Sequence, residues 1–464
     1  MDLSALRNLC ICLLVPFFLY GCSDPFACSD PPQQYSGRID LAEYPWLKGK
    51  RVFIDPGHGG ESEQDRFRCG PHGVTEEEAN LTVALVLADM LRGAGCLVAM
   101  SRTADIPVPL DTRAAMAAEF EPDLFISIHH NGSPRREDGV QYPAVLFWGS
   151  AGLRPLSYRL ACLLRDQFEK IMEGEGVVLS DLAVFPEAGT RVLRKTKYLC
   201  PGILGEGGFF SHDTHARHLA DREYLVTEAE AYFSAIAELF DRGIPSAEVL
   251  ISAPFDKEHP MDNAIHQHKP ELTLRLFSGH DSAVIKKGSL QVTLDRLPVT
   301  VKKESPTDFR VHYNGKLPAG YHTLRFSFEN TLGQPSMVFR STFFIIPEKG
   351  EYQSMIQGGQ SLISSRSGRV RGLRMLLGAL SLGCTDPRAD MLTWHIARGF
   401  AMLGMKEEAD YYYGRLYHFF PESNYRKKVP KRLRTYRFPV DYRGRPVPIR
   451  HQEKTPAQVG TSTI

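Results

Sequence analysis

Between residues 51 and 243, short apolar runs alternate with longer segments in which apolar residues recur every three to four positions. The short runs predict buried β-strands and the longer segments predict amphipathic helices. Such alternation is typical of an α/β domain whose sheet is covered by helices. We therefore expect a mixed, mostly parallel sheet flanked by helices over residues 50–245, with strands at 52–55, 97–100, 124–128, 144–148 and 202–204 and helices at 75–92, 111–120, 156–172 and 227–240.

After residue 246 the pattern changes to strict alternation of apolar and polar positions, which predicts half-buried strands. The Asn314-Gly315 pair is typical of a hairpin turn between two of them. Residues 317–324 resemble a strand of bacterial immunoglobulin-like modules, which implies an immunoglobulin-like β-sandwich over 247–348 that acts as a spacer or docking module. The predicted strands are 272–276, 290–294, 309–313, 324–328 and 337–346.

Helical periodicity returns over residues 351–424. The segment from Trp394 to Pro421 resembles one tetratricopeptide unit, with residues 370–382 as its packing partner, and this resemblance implies a surface for a protein partner. A stable stack of tetratricopeptide units needs about three of them. The alternative interpretation is therefore a small helical cap packed on the rest of the chain. Residues 425–464 are basic and are interpreted as a solvated tail, the alternative being attraction to an anionic wall polymer or membrane.

The first residues indicate the compartment. Arg7 precedes an apolar run over 9–20, which is too short to span a bilayer but fits a secretory signal peptide over residues 1–21. The tetrapeptide ending at Cys22 resembles a bacterial lipobox, which implies that Cys22 is lipidated and that the protein is a membrane-anchored lipoprotein facing the periplasm or cell envelope. The alternative is an ordinary cleaved signal near Cys22 or Ala27. Residues 22–49 are interpreted as a tether.

Composition excludes several classes of protein. A hydrophobic fraction of 43% with 23% charged residues excludes global disorder for this chain of 464 residues. With 55 Lys+Arg against 54 Asp+Glu, the net charge of +1 argues against nucleic acid as a partner. The cysteines show no CxxC spacing, so a zinc ribbon is not indicated. If the protein is exported, a disulfide between Cys69 and Cys200 is compatible with the sequence.

Four segments carry the candidate chemistry. His58, His129 and Glu206 each follow directly on a predicted strand, and Glu76 opens a predicted helix. Residues just beyond the carboxyl ends of parallel strands converge on one crevice, so these side chains can meet in space. Two imidazoles and one carboxylate suit a zinc ion, and a second carboxylate, for which Glu206 is the candidate, can act as a general base.

The residue types alone leave alternatives open. Glu77 and Glu78 compete with Glu76, and His130 competes with His129, while His72 lies in the loop between them. Each histidine can also be a hydrogen-bonded structural residue, and Glu76 can be a capping acid beside Thr75. The three histidines between residues 212 and 218 suggest a second metal site, but they fall in a polar segment and are interpreted as solvated.

A resemblance resolves these alternatives. The segment from residue 51 to residue 244 resembles the zinc-dependent N-acetylmuramoyl-L-alanine amidases of bacterial cell walls, in the type 3 catalytic domain. It implies Zn²⁺ as the cofactor, His58, Glu76 and His129 as its ligands, and Glu206 as the catalytic glutamate. The motifs stand in the family's order: 54–60, 73–76 followed by Asn80-Leu81, Ser101-Arg102 before Asp105, 110–113, 123–129, 192–197 and 206–210.

Three positions depart from the family's pattern: Glu77 replaces a common lysine, His130 a usual alanine, and His212 a usual asparagine. None of them is a ligand or the base. The leading expectation is therefore an exported zinc hydrolase that cleaves the amide bond between N-acetylmuramic acid and L-alanine of peptidoglycan. The alternatives are a zinc peptidase acting within the stem peptide and a catalytically inactive peptidoglycan-binding adaptor, which would lack a ligand or Glu206.

Overall fold

The computed structural model describes residues 35, 37–60, 69–132, 142–171, 175–186, 188–383 and 386–435. The predicted signal peptide, the lipidation site Cys22 and the tail beyond residue 435 lie outside the described residues. None of the helices in the described part combines the length and the hydropathy needed to cross a bilayer.

A six-stranded sheet forms the centre of the first part of the chain, in the order β2-β1-β3-β6-β4-β5. Neighbouring strands are parallel except that β4 runs antiparallel to β6, so the predicted mixed, mostly parallel sheet is confirmed. The strands are β1 (Arg51–Pro56), β2 (Leu97–Met100), β3 (Leu124–Asn131), β4 (Ala144–Phe147), β5 (Val177–Ser180) and β6 (Gly202–Phe209). The helices are α1 (Glu76–Gly93), α2 (Leu110–Phe120), α3 (Pro155–Ile171), α4 (Asp181–Val184), α5 (Arg191–Thr196), α6 (Asp213–Leu219) and α7 (Arg222–Asp241).

Helices cover both faces of this sheet. In β1, Val52 and Ile54 pack with α1, α3 and α7, whereas Phe53 packs on the opposite face with α2 and α5. Successive side chains of a strand point to opposite faces, so a strand buried on both sides reads as a continuous apolar run. This explains why the sequence shows short apolar runs here rather than alternation.

Two further sheets share one core and form a β-sandwich. The five-stranded sheet has the order β11-β10-β14-β15-β8, and the four-stranded sheet has the order β12-β13-β9-β7. Side chains of both sheets meet in a single apolar cluster. The strands are β7 (Ser246–Ile251), β8 (Ala264–Ile265), β9 (Leu272–Phe277), β10 (Gln291–Leu294), β11 (Leu297–Pro298), β12 (Thr300–Lys303), β13 (Asp308–His312), β14 (Gly320–Ser327) and β15 (Phe339–Ile345).

A helical region follows the sandwich and packs on it. Its helices are α8 (Glu351–Ile363), α9 (Arg369–Leu382), α10 (Ala389–Met402) and α11 (Lys406–Phe419). Leu297 and Ala319 of the sandwich are buried in the core of this region, and Ser381 of α9 accepts a hydrogen bond from the backbone of Tyr321 in β14. The helical region is therefore attached to the sandwich along a shared apolar surface.

At both ends of the described chain, the structure contradicts the prediction that these segments lie free in solvent. Residues 22–49 were expected to be a tether, but Leu47 is fully buried in the core of the first domain and the Trp46 indole donates to the carbonyl of Ala237 at 3.0 Å. Residues 425–435 were expected to be a solvated tail, but Val429 and Leu433 are buried against α11. Isolated apolar residues carry no periodic signal, so only tertiary packing reveals their burial.

The structure also contradicts the suggested disulfide between Cys69 and Cys200, since both cysteines are free thiols. Cys200 is buried in the apolar cluster beneath α2 and α5, while Cys69 is exposed. Burial raises the pKa of the Cys200 thiol well above its usual range, so this side chain behaves as a small apolar residue.

The sandwich caps the last helix of the first domain. Asn330 is fully buried, and its amide donates to the carbonyls of Arg242 at 2.8 Å and Ser278 at 3.0 Å. The amide of Gln334, also fully buried, donates to the carbonyl of Leu239 at 3.2 Å. Because the last carbonyls of a helix lack partners within the helix, these amides satisfy groups at the end of α7.

Candidate metal centre

The four predicted side chains lie together near the carboxyl ends of the parallel strands β1, β3 and β6. His58 follows β1 in a tight turn, Glu76 is the first residue of α1, His129 is near the end of β3, and Glu206 lies in β6 directly beside His129. In this parallel region the carboxyl ends of neighbouring strands face the same crevice. The structure therefore brings together segments that are far apart in sequence.

Three of these side chains form a compact cluster. The metal-binding atoms of His58, Glu76 and His129 all lie within 4.8 Å of one another. Oε1 of Glu76 is 3.2 Å from Nε2 of His58 and 3.0 Å from Nδ1 of His129. The two imidazole rings stand nearly perpendicular, with their centroids 4.8 Å apart.

The electrostatics favour an ionised carboxylate. Burial alone would favour the neutral acid, but hydrogen bonds from His129 and His58 outweigh it and hold the pKa of Glu76 well below its usual range. Burial likewise opposes protonation of His129, yet the hydrogen bond and charge of Glu76, followed by the charge of Glu206, raise its pKa. Glu76 therefore supplies a fixed negative charge between two imidazoles.

The spacing of the cluster fits a metal ion. Ligand atoms around a tetrahedral zinc ion at about 2.0–2.2 Å lie about 3.3–3.6 Å from one another. The nitrogen–oxygen distances of 3.2 and 3.0 Å come close to this separation. Two histidines and one carboxylate are also a donor set that zinc takes in catalytic sites.

Two buried arginines hold the turn that carries His58. Arg113 donates to the carbonyls of Pro56 and His58, and Arg102 donates to the carbonyls of Pro56 at 3.1 Å and Gly57 at 2.8 Å. His58 adopts a left-handed backbone with φ of 59°, which is uncommon for a residue with a side chain. The arginines therefore stabilise a backbone conformation at His58 that has an unfavourable conformational free energy on its own.

Asp55 anchors this arrangement from within the sheet. Its carboxylate accepts hydrogen bonds from Arg113 at 2.8 Å, Ser101 at 2.6 Å and Ser127 at 3.0 Å, and it is almost fully buried. A buried carboxylate is tolerable when it is paired and hydrogen-bonded in this way. The network connects β1, β3 and α2 immediately below the turn that carries His58.

Gly57 leaves the space that the His129 ring occupies. A Cβ atom at residue 57 would lie 2.2 Å from Cε1 of His129. Gly57→Ala is therefore expected to displace the ring and weaken metal binding by about 10–100-fold, the effect typical of misoriented ligands. Competition with a zinc-chelating dye measures this change.

Gly152→Ala is the matched control, because a Cβ there meets no atom within 4 Å. It should bind zinc as the wild type does. Equal zinc affinity in the two variants would contradict the close approach of Gly57 to His129.

The rival residues lie elsewhere. His130 points to the opposite face of β3, where its ring nitrogens contact Asn80 at 2.8 Å and Glu228 at 3.0 Å. Glu78 accepts a hydrogen bond from the hydroxyl of Thr75 at 2.9 Å, and His72 contacts Asp213 at 2.9 Å on the surface. Neither these residues nor Glu77 belongs to the cluster of metal-binding atoms found among the described residues.

Among the three histidines between residues 212 and 218, His215 corrects another expectation, whereas His218 is exposed as expected. All three were interpreted as solvated in a polar loop, but His215 is buried in α6 and its Nδ1 accepts a hydrogen bond from the backbone of Phe209 at 3.0 Å. Burial, reinforced by the charges of His212 and His218, lowers the pKa of His215 to about 4. This histidine is therefore a neutral residue that holds the end of β6.

The first domain is similar to known proteins. Residues 52–238 match the family model described as N-acetylmuramoyl-L-alanine amidase. Over 198 residues the chain is 30% identical to the uncharacterized protein YqiI of Bacillus subtilis (strain 168), covering 42% of this chain and 87% of that protein. Over 200 residues it is 28% identical to N-acetylmuramoyl-L-alanine amidase CwlM of Bacillus licheniformis, covering 41% and 69%. The solved structure of N-acetylmuramoyl-L-alanine amidase AmiC2 of Nostoc punctiforme is 29% identical, covers 42% of this chain and 99% of its own, and has a TM-score of 0.36.

Proposed function

This chain belongs to the N-acetylmuramoyl-L-alanine amidase family, and from that premise we propose that it is an exported zinc hydrolase of peptidoglycan. In this proposal it cleaves the amide bond between the lactyl group of N-acetylmuramic acid and the L-alanine of the stem peptide. Its cell-wall amidase activity follows from the family. The metal, the bond cleaved and the anchor are the parts that we propose.

The observation that supports zinc most directly is the cluster of His58, Glu76 and His129, whose metal-binding atoms lie within 4.8 Å of one another. Three protein ligands leave a fourth position open, which is the arrangement of catalytic rather than structural zinc sites. Zinc held there would act as a Lewis acid that polarises the scissile carbonyl and makes water a stronger acid.

Glu206 is the proposed general base. It is paired with His129 in the register of β6 and β3, so it lies beside the metal cluster without belonging to it. Its carboxylate accepts the proton of the attacking water and passes it to the nitrogen of the leaving L-alanine as the carbon–nitrogen bond breaks. The oxygen of the water remains on the lactyl carbonyl carbon, so the products are a carboxylate and a free amine.

We propose that the protein acts outside the cytoplasm, held to a membrane by a lipid on Cys22. The lipobox-like tetrapeptide before the described residues supports this anchor. Asn330 of the sandwich donates a hydrogen bond to the carbonyl of Arg242 at the end of α7. We propose that the sandwich spaces or docks the enzyme and that the helical region binds a protein partner.

Digestion of purified muropeptides, with and without zinc, tests the bond that is cut. We expect mass spectrometry to detect free stem peptides that begin at L-alanine, in a reaction that a chelator stops and added zinc restores. Wild-type protein is compared with the His129→Ala variant, which lacks one proposed ligand. Products that begin at another residue of the stem would replace this proposal with a zinc peptidase, and no products would support an inactive wall-binding adaptor.

A further inference from the structure

A chain of buried polar contacts runs from helix α7 to the metal-binding carboxylate. Nε2 of His130 lies 3.0 Å from Oε2 of Glu228, and Nδ1 of His130 lies 2.8 Å from Oδ1 of Asn80. The amide of Asn80 then donates to Oε1 of Glu76 at 3.4 Å and to the carbonyl of Gly57 at 3.2 Å. The chain therefore touches both Glu76 and the turn before His58.

The hydrogen-bonding roles along this chain are determined by one group. The carbonyl of Gly57 can only accept, so the nitrogen of the Asn80 amide must face it. The amide oxygen then faces His130, and Nδ1 of His130 must carry the hydrogen that this oxygen accepts. The donor on Nδ1 of His130 therefore holds the Asn80 amide in the same orientation that the Gly57 carbonyl requires, and in this orientation the amide places a donor on Oε1 of Glu76.

The contact between His130 and Glu228 is expected to contribute little to the free energy of unfolding. The side chains of His130 and Glu228 are both fully buried. A buried ionic pair contributes little to stability, since an apolar pair of the same volume often does as well. Its geometry, in contrast, links α7, β3 and α1 at one point next to the metal cluster.

We propose that His130, held by Glu228, is a positioning residue that orients Glu76 for metal binding through Asn80. The inference rests on the role of Glu76 as a zinc ligand in the proposed function. It assigns a purpose to a histidine at a position where the family resemblance implies alanine. Groups that orient a metal ligand typically contribute about 10–100-fold to metal affinity.

Two variants with amide side chains test the two hydrogen bonds of the His130 ring one at a time. A Gln side chain places its amide nitrogen near the position of Nε2, so His130→Gln keeps the contact with Glu228 but loses the donor to Asn80. An Asn side chain places its nitrogen near Nδ1, so His130→Asn keeps the donor to Asn80. The Asn variant is made together with Glu228→Gln, so that no buried charge is left unpaired.

Zinc affinity of the full-length protein, measured by competition with a chelating dye, is the readout. We expect His130→Gln to bind zinc about 10–100-fold more weakly than wild type and the His130→Asn/Glu228→Gln variant to recover most of this loss. Thermal unfolding of the metal-free proteins is recorded alongside, because a merely structural role would change the unfolding midpoint and leave the zinc affinity unchanged.

His322→Ala is the matched control, since His322 is a buried histidine paired with Asp295 at 2.8 Å in the sandwich. It should lower the unfolding midpoint and leave zinc affinity at the wild-type value. Wild-type affinity in His130→Gln, no recovery in the Asn variant, or an equal loss in His322→Ala would each overturn the inference. Failure of the wild-type protein to bind zinc would instead overturn the proposed function, and this inference with it.

Discussion

Replacing Glu206 with Gln is expected to lower muropeptide turnover by about 10²–10⁴-fold, the usual contribution of general acid–base catalysis. The amide keeps the shape of the side chain but cannot accept a proton. Because Glu206 lies beside the metal cluster without belonging to it, zinc content should stay at the wild-type level. Turnover and metal content are measured on the same preparation.

The control for this variant is Glu223→Gln, which makes the same change on the exposed surface of α7. It should leave turnover and zinc content unchanged. If Glu206→Gln lost zinc, Glu206 would be a ligand, and if it kept more than about half of the wild-type turnover, the role of general base would be refuted.

Substituting either His58 or His129 with Ala should remove zinc and activity together. Each change leaves two protein ligands where a catalytic zinc site has three. In addition, the loss of either imidazole takes away a hydrogen bond that favours the ionised form of Glu76. We expect zinc content well below one ion per chain by elemental analysis and no measurable release of stem peptides.

His72→Ala serves as the comparison, because His72 lies four residues before Glu76 but contacts Asp213 on the surface. This variant should retain zinc and turnover. Stoichiometric zinc in purified His129→Ala would show that His129 is not a ligand, whatever happens to the activity.

The sequence predicted the elements that bury apolar side chains with a regular period. The long helices α1, α3 and α7 have such patterns, whereas β1, β3 and β6 were predicted as short apolar runs, and the order of these elements alone predicted the sheet. Short elements such as β5, α4 and α6 were missed, because a few residues carry too little periodicity. The contacts of Trp46 and Leu433 were missed for the related reason that a single apolar residue has no period.

The choice among neighbouring acids and histidines needed more than chemistry. Glu76 is almost fully buried at the start of α1, whereas Glu78 is exposed, since a helix turns about 100° at each residue. His129 and His130 point to opposite faces because strand side chains alternate. The resemblance to a family selected Glu76 and His129 from the sequence, and in the structure these two side chains lie in one cluster with His58.

Glu228 and Asn80 were not singled out from the sequence at all. Glu228 lies 98 residues from His130, and nothing in its own segment distinguishes it from a solvent-facing glutamate of an amphipathic helix. Its complete burial is the distinguishing feature, and burial of one position in a helix follows from tertiary packing. The segment around Asn80 entered only as an alignment marker for Glu76.

If the protein is anchored through Cys22 as we propose, the packing of its N-terminal segment on the first domain limits how far from the membrane it can act. The hydroxyl of Tyr35 contacts Glu230 of α7, so the chain is held to the domain from this residue onward. With the lipid on Cys22 as proposed, about 13 residues of chain remain between anchor and enzyme, and their contour length is at most about 45 Å. The crevice can therefore reach glycan strands at distances up to this contour length plus the distance from Tyr35 across the domain to the crevice, and more remote layers of the wall lie outside its reach. Lengthening this segment would thus widen the zone of hydrolysis without any change in the chemistry.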